Sequence, residues 1–169
     1  MFKNLFGKKK EEANKEPLEI KSPVNGKYVK IEDIPDPVFS EKMMGEGFGI
    51  EPSNGKVVAP VSGEVVQVFK TNHAVGIKTD SGVEVLIHIG LETVAMEGRG
   101  FTGHVSEGDR VEAGDTLVEV DLSLVKEEAN STITPVIITN SNDVVASYDF
   151  ISTSDVTAGE SSVMKVELK

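Results

Sequence analysis

His73 and His88 stand fifteen residues apart within "NHAVGIKTDSGVEVLIHIG" (72–90), and the chain has only three histidines in all. An imidazole is neutral or protonated near physiological pH, can attack as a nucleophile, and can donate a hydrogen bond to a transferring group. Two of them on adjoining strands therefore suit nucleophilic group transfer, one ring attacking and the other assisting. Metal ligation is the second chemistry they suit. Zinc, however, wants three or four ligands, and no third stands at a telling spacing. With no cysteine in the chain, thiolate metal sites and disulfides are both excluded. The bland alternative is two half-buried histidines on a sheet.

Strand alternation decides how the rings can meet. On "VEVLIHIG", Val83, Val85, Ile87 and Ile89 share one all-aliphatic face, which is the core face, and Glu84, Leu86 and His88 share the other. On "HAVGIK", His73, Val75 and Ile77 share a face. A four-residue "TDSG" loop sets His73 opposite His88, and a two-residue "SG" loop makes them diagonal neighbours. A three-residue loop puts them on opposite faces. The sequence does not fix that parity. If the faces coincide, the rings sit among Val75, Ile77 and Leu86.

The surrounding chain reads as all-β: an antiparallel sandwich or barrel. Turn signals recur about every ten residues, among them "SPVNG" (22–26), "PSNG" (52–55), "TDSG" (79–82), "EAGD" (112–115) and "TAGE" (157–160). Between them lie short runs rich in Val, Ile and Thr: "GEVVQVF", "VEVLIHI", "TLVEVDL", "TPVIIT" and "VMKVEL". One or two short helices are expected, at "DLSLVKEEANS" (121–131) with Ser123 as N-cap, and at "PDPVFSEKMM" (35–44). "SPVNGKYV" (22–29) echoes "APVSGEVV" (59–66), and "VEAGD" (111–115) echoes "VTAGE" (156–160), which hints at duplicated halves. Similar phrases occur in biotinyl and lipoyl carrier domains. No lysine-bearing hairpin tip lies between them here, which disfavours such a carrier.

Residues 1–17 read as a flexible N-terminal leader and 18–169 as a single domain. The leader's Phe2, Leu5 and Phe6 beside Lys8, Lys9 and Lys10 allow at most a peripheral membrane contact, and a solvated tail is favoured. It lacks the apolar core of a secretory signal, so a cytoplasmic protein is expected. No apolar run approaches the ~20 residues of a membrane helix. A net charge of −11 argues against a nucleic-acid partner and for partners with a basic or neutral surface.

Several long blocks, namely "IEDIPDPVFSEKMMGEGFGIEP" (31–52), "VVAPVSGEV" (57–65), "TNHAVGIKTDSGVEVLIHIGLETV" (71–94), "GFTGHVSEGDRVEAGDTLVEVDL" (100–122) and "TPVIITN" (134–140), resemble the glucose-family enzyme IIA of the bacterial phosphoenolpyruvate:sugar phosphotransferase system. The resemblance implies a phosphoryl relay on a β-sandwich of duplicated halves. It makes His88 the phosphoacceptor through Nε2, with Nδ1–H held by a backbone carbonyl near Gly90. It makes His73 the residue that stabilises the transferring phosphoryl group, and Thr71 the residue that orients His73. The partners implied are the phosphocarrier protein HPr and the IIB domain of a sugar permease, with no cofactor and no resident metal. An apolar rim would exclude water and receive these partners, and its candidates are Phe39, Met43, Met44, Phe69, Val75, Leu86 and Val94. Asp36 and Glu92 stand where the family carries rim carboxylates that could pair with an arginine of HPr. Glu92 replaces the more usual aspartate. His104 matches no functional motif and reads as a surface histidine. The alternatives are a regulatory module whose partner contacts depend on the phosphorylation of His88, and a metal site at His73 and His88 completed by a partner's carboxylate.

Overall fold

The computed structural model describes residues 16–169, so the leader's apolar and basic residues lie outside the described part. Strands β1 (Leu18–Lys21), β2 (Gly26–Lys30), β3 (Glu46–Pro52), β4 (Lys56–Val58), β5 (Gly63–Val68), β6 (Ala74–Lys78) and β7 (Glu84–His88) come first along the chain. They are followed by β8 (Phe101–Gly103), β9 (Arg110–Val111), β10 (Thr116–Val120), β11 (Thr134–Ile138), β12 (Val145–Phe150), β13 (Asp155–Val156) and β14 (Ser162–Leu168). One eight-stranded sheet has the order β13-β2-β3-β11-β7-β6-β5-β9, and two three-stranded sheets have the orders β1-β14-β12 and β4-β10-β8. The pairings within them are antiparallel. The result is the expected β-sandwich.

These orders reveal how the two sequence echoes work. β13-β2-β3-β11 on one side of the large sheet is matched by β9-β5-β6-β7 on the other, and β1-β14-β12 is matched by β4-β10-β8. Val156 pairs with Gly26 as Val111 pairs with Gly63. The recurring glycine has a steric cause. A Cβ on Gly26 would stand 2.0 Å from the Glu51 carbonyl oxygen, and one on Gly63 would stand 2.3 Å from that of Lys78. The second half (β4–β10) is thus inserted whole between β3 and β11 of the first. The halves meet along β7 and β11, where Val136 lies opposite Ile87.

The main core fills the sandwich with aliphatic side chains such as Ile50, Val65, Ile77, Val85, Ile87, Leu117, Val136 and Met164. Its alternation follows the expected inner face of β7. A second, smaller cluster of Ile31, Ile34, Phe39, Leu91 and Ile137 covers the outer face of the two central strands, with Met44 packed against it. Ile137 lies directly opposite Leu86, so this cluster and the outer face of β7 are continuous. The chain over 31–44 that closes it includes a helical turn, Pro37–Ser40, capped by Asp36. The longer helix runs Leu122–Glu128, and its N-cap is Asp121, whose carboxylate accepts from the Leu124 N–H at 3.2 Å. Ser123, expected in that role, lies inside the first turn. Asp121 wins because an aspartate two residues earlier already satisfies an orphan N–H.

Candidate functional site

His88 is the last residue of β7, on the outer face, at the open end of the smaller cluster. Two residues on, Gly90 turns back in the left-handed region at φ +77°, which aims its carbonyl at the ring. The Nδ1–H of His88 donates to that carbonyl at 2.7 Å. Nδ1 is thereby fixed as the protonated nitrogen, and Nε2 keeps its lone pair.

The β6–β7 hairpin has the three-residue loop Asp80–Ser81–Gly82. The Thr79 N–H donates to the Val83 carbonyl at 2.9 Å, the Gly82 N–H to the Thr79 carbonyl at 3.0 Å, and Gly82 has φ +92°. Ala74 therefore lies opposite His88, and Val75 opposite Ile87. By alternation this parity separates His73 from His88. Yet their ring centroids are 5.2 Å apart at 78°. The reason is that His73 is not a strand residue. It ends the four-residue loop Lys70–His73 that joins β5 to β6, closed by the Phe69 N–H to the Ala74 carbonyl at 3.0 Å. Its carbonyl still accepts from the Ile89 N–H at 2.7 Å, beside the Ala74–His88 pair, but at the strand's end the His73 ring turns round to the outer side, where it meets His88.

The same parity corrects two expectations. Val75 and Ile77 do not line the site; they face Ile87 and Val85 inside the main core, because odd loop length puts them on the inner face. Leu86 of that expected shell keeps to the outer face, opposite Ile137. It lines a shallow cavity of about 230 Å³ with Met44, Phe69, Gly76 and Glu84.

Around the two imidazoles the surroundings are apolar. Phe39 packs on His88 with centroids 5.3 Å apart, and Phe69 meets His73 edge-on at 5.1 Å. The Thr71 hydroxyl is hydrogen-bonded to Nδ1 of His73. His73 is only 4% exposed. Burial, and then the like charge His88 would carry, push the His73 pKa down from its ordinary value to about 4. Burial also lowers His88, opposed by the Gly90 carbonyl and by Asp36. At neutral pH both rings are uncharged.

Three large apolar side chains of the segments that follow Asp36 and Gly90 in the chain stand well out: Met43 is 71% exposed, Val94 58% and Val38 40%. Phe39, by contrast, is buried. Val38 was not foreseen. The Asp-Pro at 36–37 marks an N-cap and first helical residue, and the next side chain of so short a turn can point outward. Asp36 serves first as that cap, accepting from the Val38 N–H at 2.9 Å. Glu92 is exposed, in the left-handed region at φ +61°, leading the turn Thr93–Met96. His104 pairs with Glu119 at 2.9 Å on the surface, apart from the rings it was not expected to join. Among the described residues no group of three or more His, Asp or Glu side chains comes together as a metal site, and no helix there is long and apolar enough to cross a membrane.

Comparison with known proteins points to one family. Residues 18–144 match the family described as phosphoenolpyruvate-dependent sugar phosphotransferase system, EIIA 1. The glucose-specific EIIA component of the phosphotransferase system of Halalkalibacterium halodurans is 56% identical, over 100% of this chain and 99% of its own. That of Bacillus anthracis is 52% identical over the whole of both chains. The solved glucose permease IIA of Mycoplasma capricolum superposes with a TM-score of 0.83 at 39% identity, covering 88% of this chain and 96% of that one.

Proposed function

Since the chain belongs to the EIIA 1 family of the phosphoenolpyruvate-dependent sugar phosphotransferase system, and so transfers phosphoryl groups through a phosphohistidine, we propose that His88 is the histidine that carries the group. The carrying observation is the hydrogen bond from His88 Nδ1–H to the Gly90 carbonyl, which leaves Nε2 as an unprotonated nucleophile beside a second neutral ring. Phosphoryl arrives from phospho-HPr. The N–P bond of the donor breaks as the N–P bond to His88 Nε2 forms, and the donor imidazole leaves with the electron pair. Transfer onward to the IIB domain of a glucose-type permease reverses this, with a thiolate as the new nucleophile. Such reactions need positioning and charge stabilisation more than covalent machinery.

His73 supplies the stabilisation. In the His73 tautomer whose Nδ1 accepts from the Thr71 hydroxyl, the ring proton sits on Nε2, where it can donate to a phosphoryl oxygen. Its low basicity keeps it neutral until a phosphoryl dianion arrives beside it, and that charge favours any proton it binds. Met43, Val94 and Val38 form the surface on which HPr and the IIB domain seat, and Phe39, Met44, Phe69 and Leu86 back it and exclude water from the N–P bond. Asp36 and Glu92 are the carboxylates of that rim, offered to basic groups of the partner. The family supports a cytoplasmic site of action, and a family match and a first strand that both begin at Leu18 support a single domain from there.

The test is incubation with phosphoenolpyruvate, enzyme I and HPr, then intact mass. One acid-labile phosphoryl group is expected, absent in His88→Ala. His73→Ala should still be labelled by HPr and fail in onward transfer. Full labelling of His88→Ala would overturn the assignment.

A further inference from the structure

The parity of the β6–β7 hairpin leaves His73 dependent on the Lys70–His73 loop, and two features outside the imidazole pair hold that loop. Asn72 occupies the left-handed region at φ +58°, and its N–H donates to the Phe69 carbonyl at 2.7 Å, closing a turn one residue before His73. Asparagine is among the few non-glycine residues that adopt this conformation readily. Its carboxamide lies flat against Gly103, the last residue of β8. A Cβ there would meet the Asn72 Oδ1 at 2.5 Å and its Cγ at 2.9 Å. Gly103 is itself fixed, opposite Val118 in the β8–β10 ladder. A Cβ on Gly98 would lie 3.6 Å from the Thr71 carbonyl oxygen, an ordinary van der Waals distance, so the loop also passes near the start of the Gly98–Gly103 stretch.

We propose that Asn72 and Gly103 form a lock that positions the Thr71–His73 segment, turning the His73 ring to the outer side where it meets His88. Neither residue touches the reacting atoms; both are positioning residues. The left-handed Asn72 sets the loop's shape, and the bare face of Gly103 sets where the loop rests. The consequence for transfer rests on the reading of His73 given above. The geometric lock does not, and its readout is separate.

The experiment compares Asn72→Ala, Asn72→Gly and Gly103→Ala in the full chain, by NMR titration of the His73 imidazole and by the rates of phosphoryl acceptance and donation. In Asn72→Ala the titration midpoint should leave its value of about 4 and move toward 6.5 as the ring loses its buried seat. Donation should slow about tenfold, with acceptance from HPr within about twofold, as a penalty for left-handed backbone predicts. Asn72→Gly keeps that backbone and should recover most of the loss. Gly103→Ala, in which Asn72 is intact but displaced, should shift the midpoint in the same direction. An unchanged midpoint in both alanine variants would overturn the lock, as would an Asn72→Gly protein as impaired as Asn72→Ala. A shifted midpoint with undiminished donation would uphold the lock and instead refute the transfer role of His73. Should Gly103→Ala fail to fold, the two Asn72 variants decide alone.

Discussion

Gly90→Ala is the sharpest test of how the nucleophile is prepared. At φ +77°, an L-residue costs about 1–2 kcal/mol relative to glycine. The added methyl would stand 2.6 Å from the Thr93 Cγ2 and 2.9 Å from the Ser131 carbonyl oxygen. Overpacking of this kind costs typically about 1–3 kcal/mol. Together they predict a loss of about 2–5 kcal/mol, or a fall of roughly 5–15 °C in Tm for a domain of this size. The backbone shift that relieves the contact also moves the carbonyl that holds His88 Nδ1–H. A hydrogen bond of that kind is worth about 0.5–1.5 kcal/mol, so the tautomer with a free Nε2 should become up to about tenfold less favoured. Thermal denaturation reads the first effect, and nitrogen-15 NMR of the imidazole with the rate of labelling by phospho-HPr reads the second. Thr93→Ser removes the nearest obstructing carbon and keeps the hydroxyl that donates to the Ile89 carbonyl at 2.7 Å. The double variant should therefore recover part of both losses. A Gly90→Ala protein with unchanged tautomer and a labelling rate within twofold of the parent would refute the role given to this carbonyl.

Two further outcomes follow from the same geometry. Both site histidines have folded pKa values below the unfolded value, so the unfolded chain binds more protons as the pH falls through 6.5, and stability must drop. For His73 this continues to about pH 4, at a slope of about 1.4 kcal/mol per pH unit once its unfolded form is protonated. Between pH 6 and 5, above most carboxylate titrations, denaturant unfolding of His73→Asn should show a slope smaller by nearly one proton, and an equal slope would contradict the burial argument. Met43→Glu and Val94→Glu, at exposed positions, should change stability by no more than about 0.5 kcal/mol. Both should raise the KM for phospho-HPr by about fivefold or more through loss of apolar contact, and unchanged steady-state kinetics in both would exclude this surface from docking.

Much of this was legible in the sequence because the responsible forces are local. The inner aliphatic and outer polar faces of β7 follow from a period of two, which the backbone imposes on any strand. The Pro, Gly and Val echoes mark turns whose sterics forbid a side chain, as the contacts at Gly26 and Gly63 display. Family resemblance named His88, His73 and Thr71. The partnership of the two rings was a different matter. It depends on the parity of a three-residue loop and on how a second loop turns the His73 ring at the start of β6, and no periodic signal records either. Val75 and Ile77 went inward for the same reason. The insertion of one half within the other rests on β3 pairing with β11, whose partners Phe48 and Val136 are far apart in the chain. Local sequence determined which residues could face outward and which turns could be tight. Only long-range pairing and loop closure decided which two imidazoles would meet, because a ring's position at a strand's end is set by what the loop rests on.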